Sequence, residues 1–183
     1  MPDSDIQRPA YHFLPEKNWI NDPNGLIQFN GEYHLFYQHN PVAAVWGNMT
    51  WGHAVSLDMV HWKHLPFALL PDQPYDKDGV FSGCTVNDNG IATILYTGTQ
   101  PEVQCIATSS DMWTFSKFSG NPVIATPPEG LKTTGFRDPY VWKEADGWYM
   151  VLGSGIEGAG GAILLYHSPD LRQWHYLHPA HRN

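Results

Sequence analysis

At 183 residues the chain is long enough for one core, and 42% hydrophobic and 14% aromatic residues with 17 Gly and 15 Pro favour many strands and turns over long helices. A formal charge of −8, with only ten Lys and Arg scattered along the chain, excludes a nucleic-acid or anionic-membrane surface and fits a neutral substrate. No apolar run approaches the length of a membrane span, and Met1-Pro2-Asp3-Ser4-Asp5 has neither basic nor apolar character, so a cytoplasmic protein is expected.

The first element is Trp19-Ile20-Asn21-Asp22-Pro23-Asn24-Gly25, whose Asn, Asp, Pro and Gly content predicts a tight polar turn at the edge of an apolar strand. A strand led by Gly31 follows, Gly31 to Tyr37, then a second, Trp51 to Ser56, and then the turn Ser56-Leu57-Asp58 closed by Trp62. The pattern returns from Gly90 to Tyr96 and from Val103 to Ser109, ending in Ser109-Ser110-Asp111 and Phe115. It returns again from Gly147 to Gly153 and from Ala162 to Ser168, ending in Ser168-Pro169-Asp170 and Trp174. The repeats occupy about 19–66, 77–118 and 133–178.

A period of this length, filled with short strands, fits the blade of a β-propeller, a small sheet that needs neighbours on both faces. Three blades cannot close a ring, so the chain reads as the N-terminal portion of one all-β propeller domain that continues beyond it. A β-sandwich with similar hairpins is the alternative. Cys84 and Cys105, the two cysteines, fall inside strands of the second repeat and read as reduced, buried thiols. The ten histidines show no zinc-site spacing, and no Gly-rich phosphate loop, Cys-His nucleophile pair or heptad pattern is present; neither a metal nor a cofactor is expected.

The repeat also brings distant residues together. Nine positions before Gly31 lies Asp22, nine before Gly147 lies Asp138, and eight before Gly90 lies Ser82, so two carboxylates and a hydroxyl are expected to face one funnel. Arg137, beside Asp138, would hold that carboxylate ionised. Paired acids in an aromatic-lined concavity suit glycoside hydrolysis, with Trp19, Trp46 and Phe81 covering the apolar faces of a sugar ring.

The heptad at 19–25, the run from Phe36-Tyr37-Gln38-His39-Asn40-Pro41 through Trp46-Gly47-Asn48-Met49-Thr50-Trp51-Gly52-His53-Ala54 to Trp62, Phe81-Ser82-Gly83 and Phe136-Arg137-Asp138-Pro139 together resemble family 32 of the glycoside hydrolases. The resemblance runs from about Tyr11 to Trp174. It implies a five-bladed β-propeller, of which this chain covers about the first three blades, and retaining hydrolysis of terminal β-D-fructofuranosides such as sucrose or short fructans. It further implies that Asp22 is the nucleophile and Asp138 the transition-state stabiliser, with Asn21, Gln38, Trp46, Phe81, Ser82 and Arg137 binding the fructosyl unit. The acid/base it implies, a Glu in a Glu-Cys pair, has no match here, and each of the six glutamates reads as a solvated loop residue. That gap keeps a second reading open, a non-catalytic fructoside-binding module or truncated, subunit-like fragment. A small carbohydrate is the expected partner either way, with sucrose, inulin and levan preference, transfer against hydrolysis, and oligomeric state all left open.

Overall fold

The computed structural model describes residue 9 and residues 11–182; the Met1 to Asp5 segment lies outside them. Twelve strands and no helix occur among the described residues, in three four-stranded antiparallel sheets taken in chain order. The first holds β1 (Trp19–Phe29), β2 (Glu32–Asn40), β3 (Thr50–Ser56) and β4 (Lys63–Leu69). The second holds β5 (Val80–Asp88), β6 (Ile91–Gly98), β7 (Val103–Ser109) and β8 (Ser116–Lys117), and the third β9 (Thr133–Glu144), β10 (Gly147–Ile156), β11 (Gly160–Ser168) and β12 (His175–Arg182).

Local chemistry dictates the meander. The β1–β2 and β5–β6 hairpins turn on Asn30-Gly31 and Asn89-Gly90, all four at positive φ, as a two-residue turn matched to strand twist requires. The β3–β4, β7–β8 and β11–β12 connections share one hydrogen-bonded plan: Ser56, Ser109 and Ser168 each accept the amide of the Asp two residues on. That Asp, Asp58, Asp111 or Asp170, then accepts two further amides ahead of it. The repeated Ser-x-Asp signal is therefore a turn lock.

Strand alternation splits the core between sheets. Ile94, Tyr96, Cys105 and Ala107 of the second sheet pack on Phe29, Phe36, Trp51 and Leu69 of the first. Their strand neighbours Leu95 and Ile106, with Cys84 paired to Leu95 on β5, point the other way, onto Phe136, Val141, Met150 and Leu152 of the third. Cys84 and Cys105 thus lie on opposite faces of one sheet, both free, and burial pushes each thiol up to about 12. The first strand of the second sheet, β5, packs against both β1 and β9, which puts the three leading strands side by side. His34 and His53 are a buried core pair, Nδ1 to Nε2 at 3.0 Å, and desolvation lowers the pKa of both.

The heptad expected to be a turn is instead part of β1. Its turn-forming residues serve a break in the ladder: the β1–β2 register slips between Ile20 and Pro23 and again between Asn24 and Ile27.

Candidate active site

The same irregularity recurs at each leading strand. Asn21 and Asp22 bulge from the β1–β2 ladder, Ser82 is the extra residue between Phe81 and Gly83 on β5, and Asp138-Pro139 faces the slip between Val151 and Gly153 on β10. A bulge turns its residue out of the pleat, and Pro23, Gly83 or Pro139 follows each one, residues that do not sustain a regular central ladder. Three polar side chains from three sheets are aimed at one space in this way. Ser82 Oγ donates to Asp22 Oδ2 at 2.9 Å across the β1–β5 boundary.

Together with Met49, the nine residues singled out from the sequence, Trp19 among them, line a single cleft of about 130 Å³. Asn21 and Asp22 come from β1, Gln38 from β2, Phe81 and Ser82 from β5, Arg137 and Asp138 from β9, and Trp46 from the β2–β3 loop. Buried Asn40 shapes that loop, donating to Val45 O at 2.8 Å and accepting the Val42 amide at 2.9 Å. Trp46 stands edge-on to Phe81, ring centroids 6.4 Å apart, as an apolar corner for a sugar face. Gln38, opposite the Asn21-Asp22 bulge, is 4% exposed, and neither atom of its amide has a hydrogen-bond partner. A buried amide left unpaired is costly, and Gln38 Nε2 and Oε1 put such a donor and acceptor on the cleft wall.

Electrostatics correct one expectation. Arg137 favours the ionised Asp138, as expected, but is outweighed: its Nη1 is engaged by Glu102 Oε1 at 2.6 Å, while its Nε is 3.9 Å from Asp138 Oδ2. Desolvation in the cleft raises the Asp138 pKa above the ordinary carboxylate value; Arg137 opposes this, and the negative charges of Asp22 and Glu102 add to it. Asp138 also sits at φ 60°, a left-handed backbone rare for a side-chain-bearing residue and typical of functional sites. Met49 and Glu102 were missing from the residues expected at the site. Glu102, expected to be solvated, is half-buried and paired, and nothing in its own turn signals that, because its partners lie thirty-four and thirty-five residues on.

Residues 12–183 match the Glycosyl hydrolases family 32 N-terminal domain. The chain is 51% identical to a sucrose-6-phosphate hydrolase of Escherichia coli, over 91% of this chain and 36% of the relative. Its structure is similar to that of a β-fructofuranosidase variant of Bombyx mori in complex with sucrose, with a TM-score of 0.86 and 41% identity over 96% of this chain and 38% of the other. It is also similar to a fructan 1-exohydrolase IIa variant of Cichorium intybus in complex with 1-kestose, with a TM-score of 0.88 and 40% identity over 96% of this chain and 35% of the other. The chain thus spans little more than a third of the length of these relatives. A match to that domain over residues 12–183, with 51% identity to a relative across 91% of the chain, places the chain in glycoside hydrolase family 32, as its N-terminal domain.

Proposed function

We propose that this chain carries the fructosyl-binding and nucleophilic part of a β-fructofuranosidase that hydrolyses terminal non-reducing β-D-fructofuranosides, sucrose or short fructans, with retention of configuration. The observation that carries the reading is the convergence of Asp22, Ser82 and Asp138 from three bulges onto one cleft. Sucrose and 1-kestose, bound by the two structural relatives, both end in a fructosyl unit.

In this mechanism one oxygen of Asp22 is oriented by Ser82 and the other attacks the anomeric carbon. The glycosidic C–O bond breaks as the ester forms, and the departing oxygen takes a proton from an acid. Water, deprotonated by the conjugate base, then cleaves the ester and frees Asp22. Asp138 accepts hydrogen bonds from fructose hydroxyls, which strengthen as charge develops on the ring. The acid/base is the glutamate of the Glu-Cys pair that the family resemblance implies, which no residue of this chain matches. In the same proposal the three sheets are the first blades of a five-bladed β-propeller, residues 1–183 forming its N-terminal portion, and the protein works in the cytoplasm, where two buried free thiols are at home.

The test is Asp22→Asn in the full-length protein assayed on sucrose. Turnover falls by several orders of magnitude with folding retained, and the wild type releases the β-anomer first by NMR. Near-normal turnover of the variant, or the α-anomer as first product, would sink the reading. Sucrose binding with no turnover in the wild type would establish the binding-module alternative.

A further inference from the structure

Three side chains of the second sheet, none of them in the cleft lining, converge on residues 136–138 of β9. Thr97, fully buried on β6, accepts the Asp138 amide on Oγ1 at 3.2 Å and donates its own proton to Gln104 Oε1 at 2.8 Å. Gln104, 1% exposed on β7, donates from Nε2 to Phe136 O at 2.7 Å. Glu102, in the β6–β7 turn, accepts the Phe136 amide on one oxygen and Arg137 Nη1 on the other. The directions are determined. Only Nε2 of Gln104 can donate to a carbonyl, so its Oε1 must take the Thr97 hydroxyl proton, and the Thr97 lone pair is left for the Asp138 amide.

We propose that Thr97, Gln104 and Glu102 form a clamp that sets the left-handed turn at Asp138 and the reach of Arg137 into the cleft, making all three positioning residues for the transition state. The proposal rests on the reading of Asp138 as stabiliser. A strained backbone persists only where its surroundings over-determine it, and here the amide of the φ 60° residue itself and the amide and carbonyl of Phe136, two residues before it, are held from a different sheet. The second sheet also meets β9 farther along, with Cys84 against the Val141 backbone and Asp88 3.9 Å from Lys143 Nζ, but the bonds of Thr97, Gln104 and Glu102 are concentrated on residues 136–138, beside the bulge that delivers Asp138. Glu102 also takes the guanidinium that would otherwise swing onto Asp138, which leaves that carboxylate's oxygens free for hydroxyls.

The experiment uses the full-length protein on sucrose with Thr97→Val, Thr97→Ser, Glu102→Gln and, as reference, Asp138→Asn. Thr97→Val keeps the shape and loses the hydroxyl, so kcat falls about tenfold to a hundredfold with a smaller change in KM, as expected for a displaced group. Thr97→Ser restores the hydroxyl and most of the rate. A packing role predicts the reverse order, valine near wild type and serine impaired. The charged groups facing Asp138 are Arg137 on its own strand, Asp22 on β1 and Glu102 from the second sheet. Glu102→Gln removes one negative neighbour and releases Arg137, so the acid limb of kcat/KM moves to lower pH. If Asp138→Asn lowers kcat by orders of magnitude while the Thr97 and Glu102 variants stay within about twofold of wild type with an unmoved acid limb, the clamp is wrong and the site reading stands. If Asp138→Asn itself keeps its rate, both are overturned.

Discussion

Asp138 concentrates two costs in one residue, a left-handed backbone and a carboxylate partly desolvated by the cleft; its side chain is still 55% exposed, so solvent screening keeps the second cost small. Asn tolerates that backbone better than most residues and carries no charge, so Asp138→Asn tests the electrostatic cost alone. The folded pKa lies above the ordinary value of the unfolded chain, so the folded state binds more protons between the two and stability falls as pH rises through that window. Above it the cost is fully present. Asp138→Asn is therefore expected to unfold at a higher temperature than wild type at neutral pH, with the gain vanishing below the window. Differential scanning calorimetry at pH 7 and at acid pH reads this directly; a variant less stable at neutral pH would mean that Arg137 stabilises the carboxylate after all. The cleft lining was legible as a set of nine residues, because repeat offsets and motifs mark them. The pairing of Arg137 with Glu102 was not, because no local pattern relates a turn of one sheet to the leading strand of the next.

At the level of elements, the bulges explain why the heptad at 19–25 reads as a turn. A bulge needs the same departures from extended backbone and regular pairing that turns need, and Gly25 at φ 57° within β1 meets one of them. A second element-scale device fixes the crossing from the first sheet to the second. Asp76, wholly buried in the β4–β5 connection, accepts from Tyr96 Oη at 2.8 Å and from Lys117 Nζ at 2.6 Å, which ties that connection to β6 and β8. Lys117→Met strands a buried carboxylate and is expected to cost ~3–5 kcal/mol of stability. Adding Asp76→Asn should recover much of that loss, since Tyr96 can still donate to the amide oxygen. Urea unfolding of the single and double variants measures the coupling, and equal stability of the two would show that the pair is not what holds the connection.

The whole molecule is a stack whose faces are unequally covered. The residue after the turn Asp is left-handed in all three repeats, Met59, Met112 and Leu171. Met112 caps the core between the first and second sheets and Leu171 the core between the second and third, whereas Met59 is 59% exposed. By the same register Met59 belongs to a core on the far side of the first sheet, where among the described residues the partly buried hydrophobic side chains packed on Leu35, Tyr37 and Ala54 are Phe13, Ile20 and Trp62. Leu57 and Val60 stand exposed near it, as do Tyr140, Ile163 and Leu177 on the third sheet. Apolar surface of this extent drives association, so the 183-residue chain alone is expected to self-associate at micromolar concentration and to show broad, weakly cooperative unfolding. Sedimentation velocity decides it: a monodisperse monomer with a sharp transition would mean that two cores suffice.

Strand content, the threefold period, the turn locks and the identity of the cleft residues were all written locally, because alternation, Ser-x-Asp turns and Asp-Pro or Ser-Gly steps depend on neighbours in the chain. Packing between sheets decided the rest. That packing buried Thr97 and Gln104, matched Glu102 to Arg137 and raised the Asp138 pKa, since each depends on which side chain a neighbouring sheet presents at a given height, a relation with no signature in either segment alone.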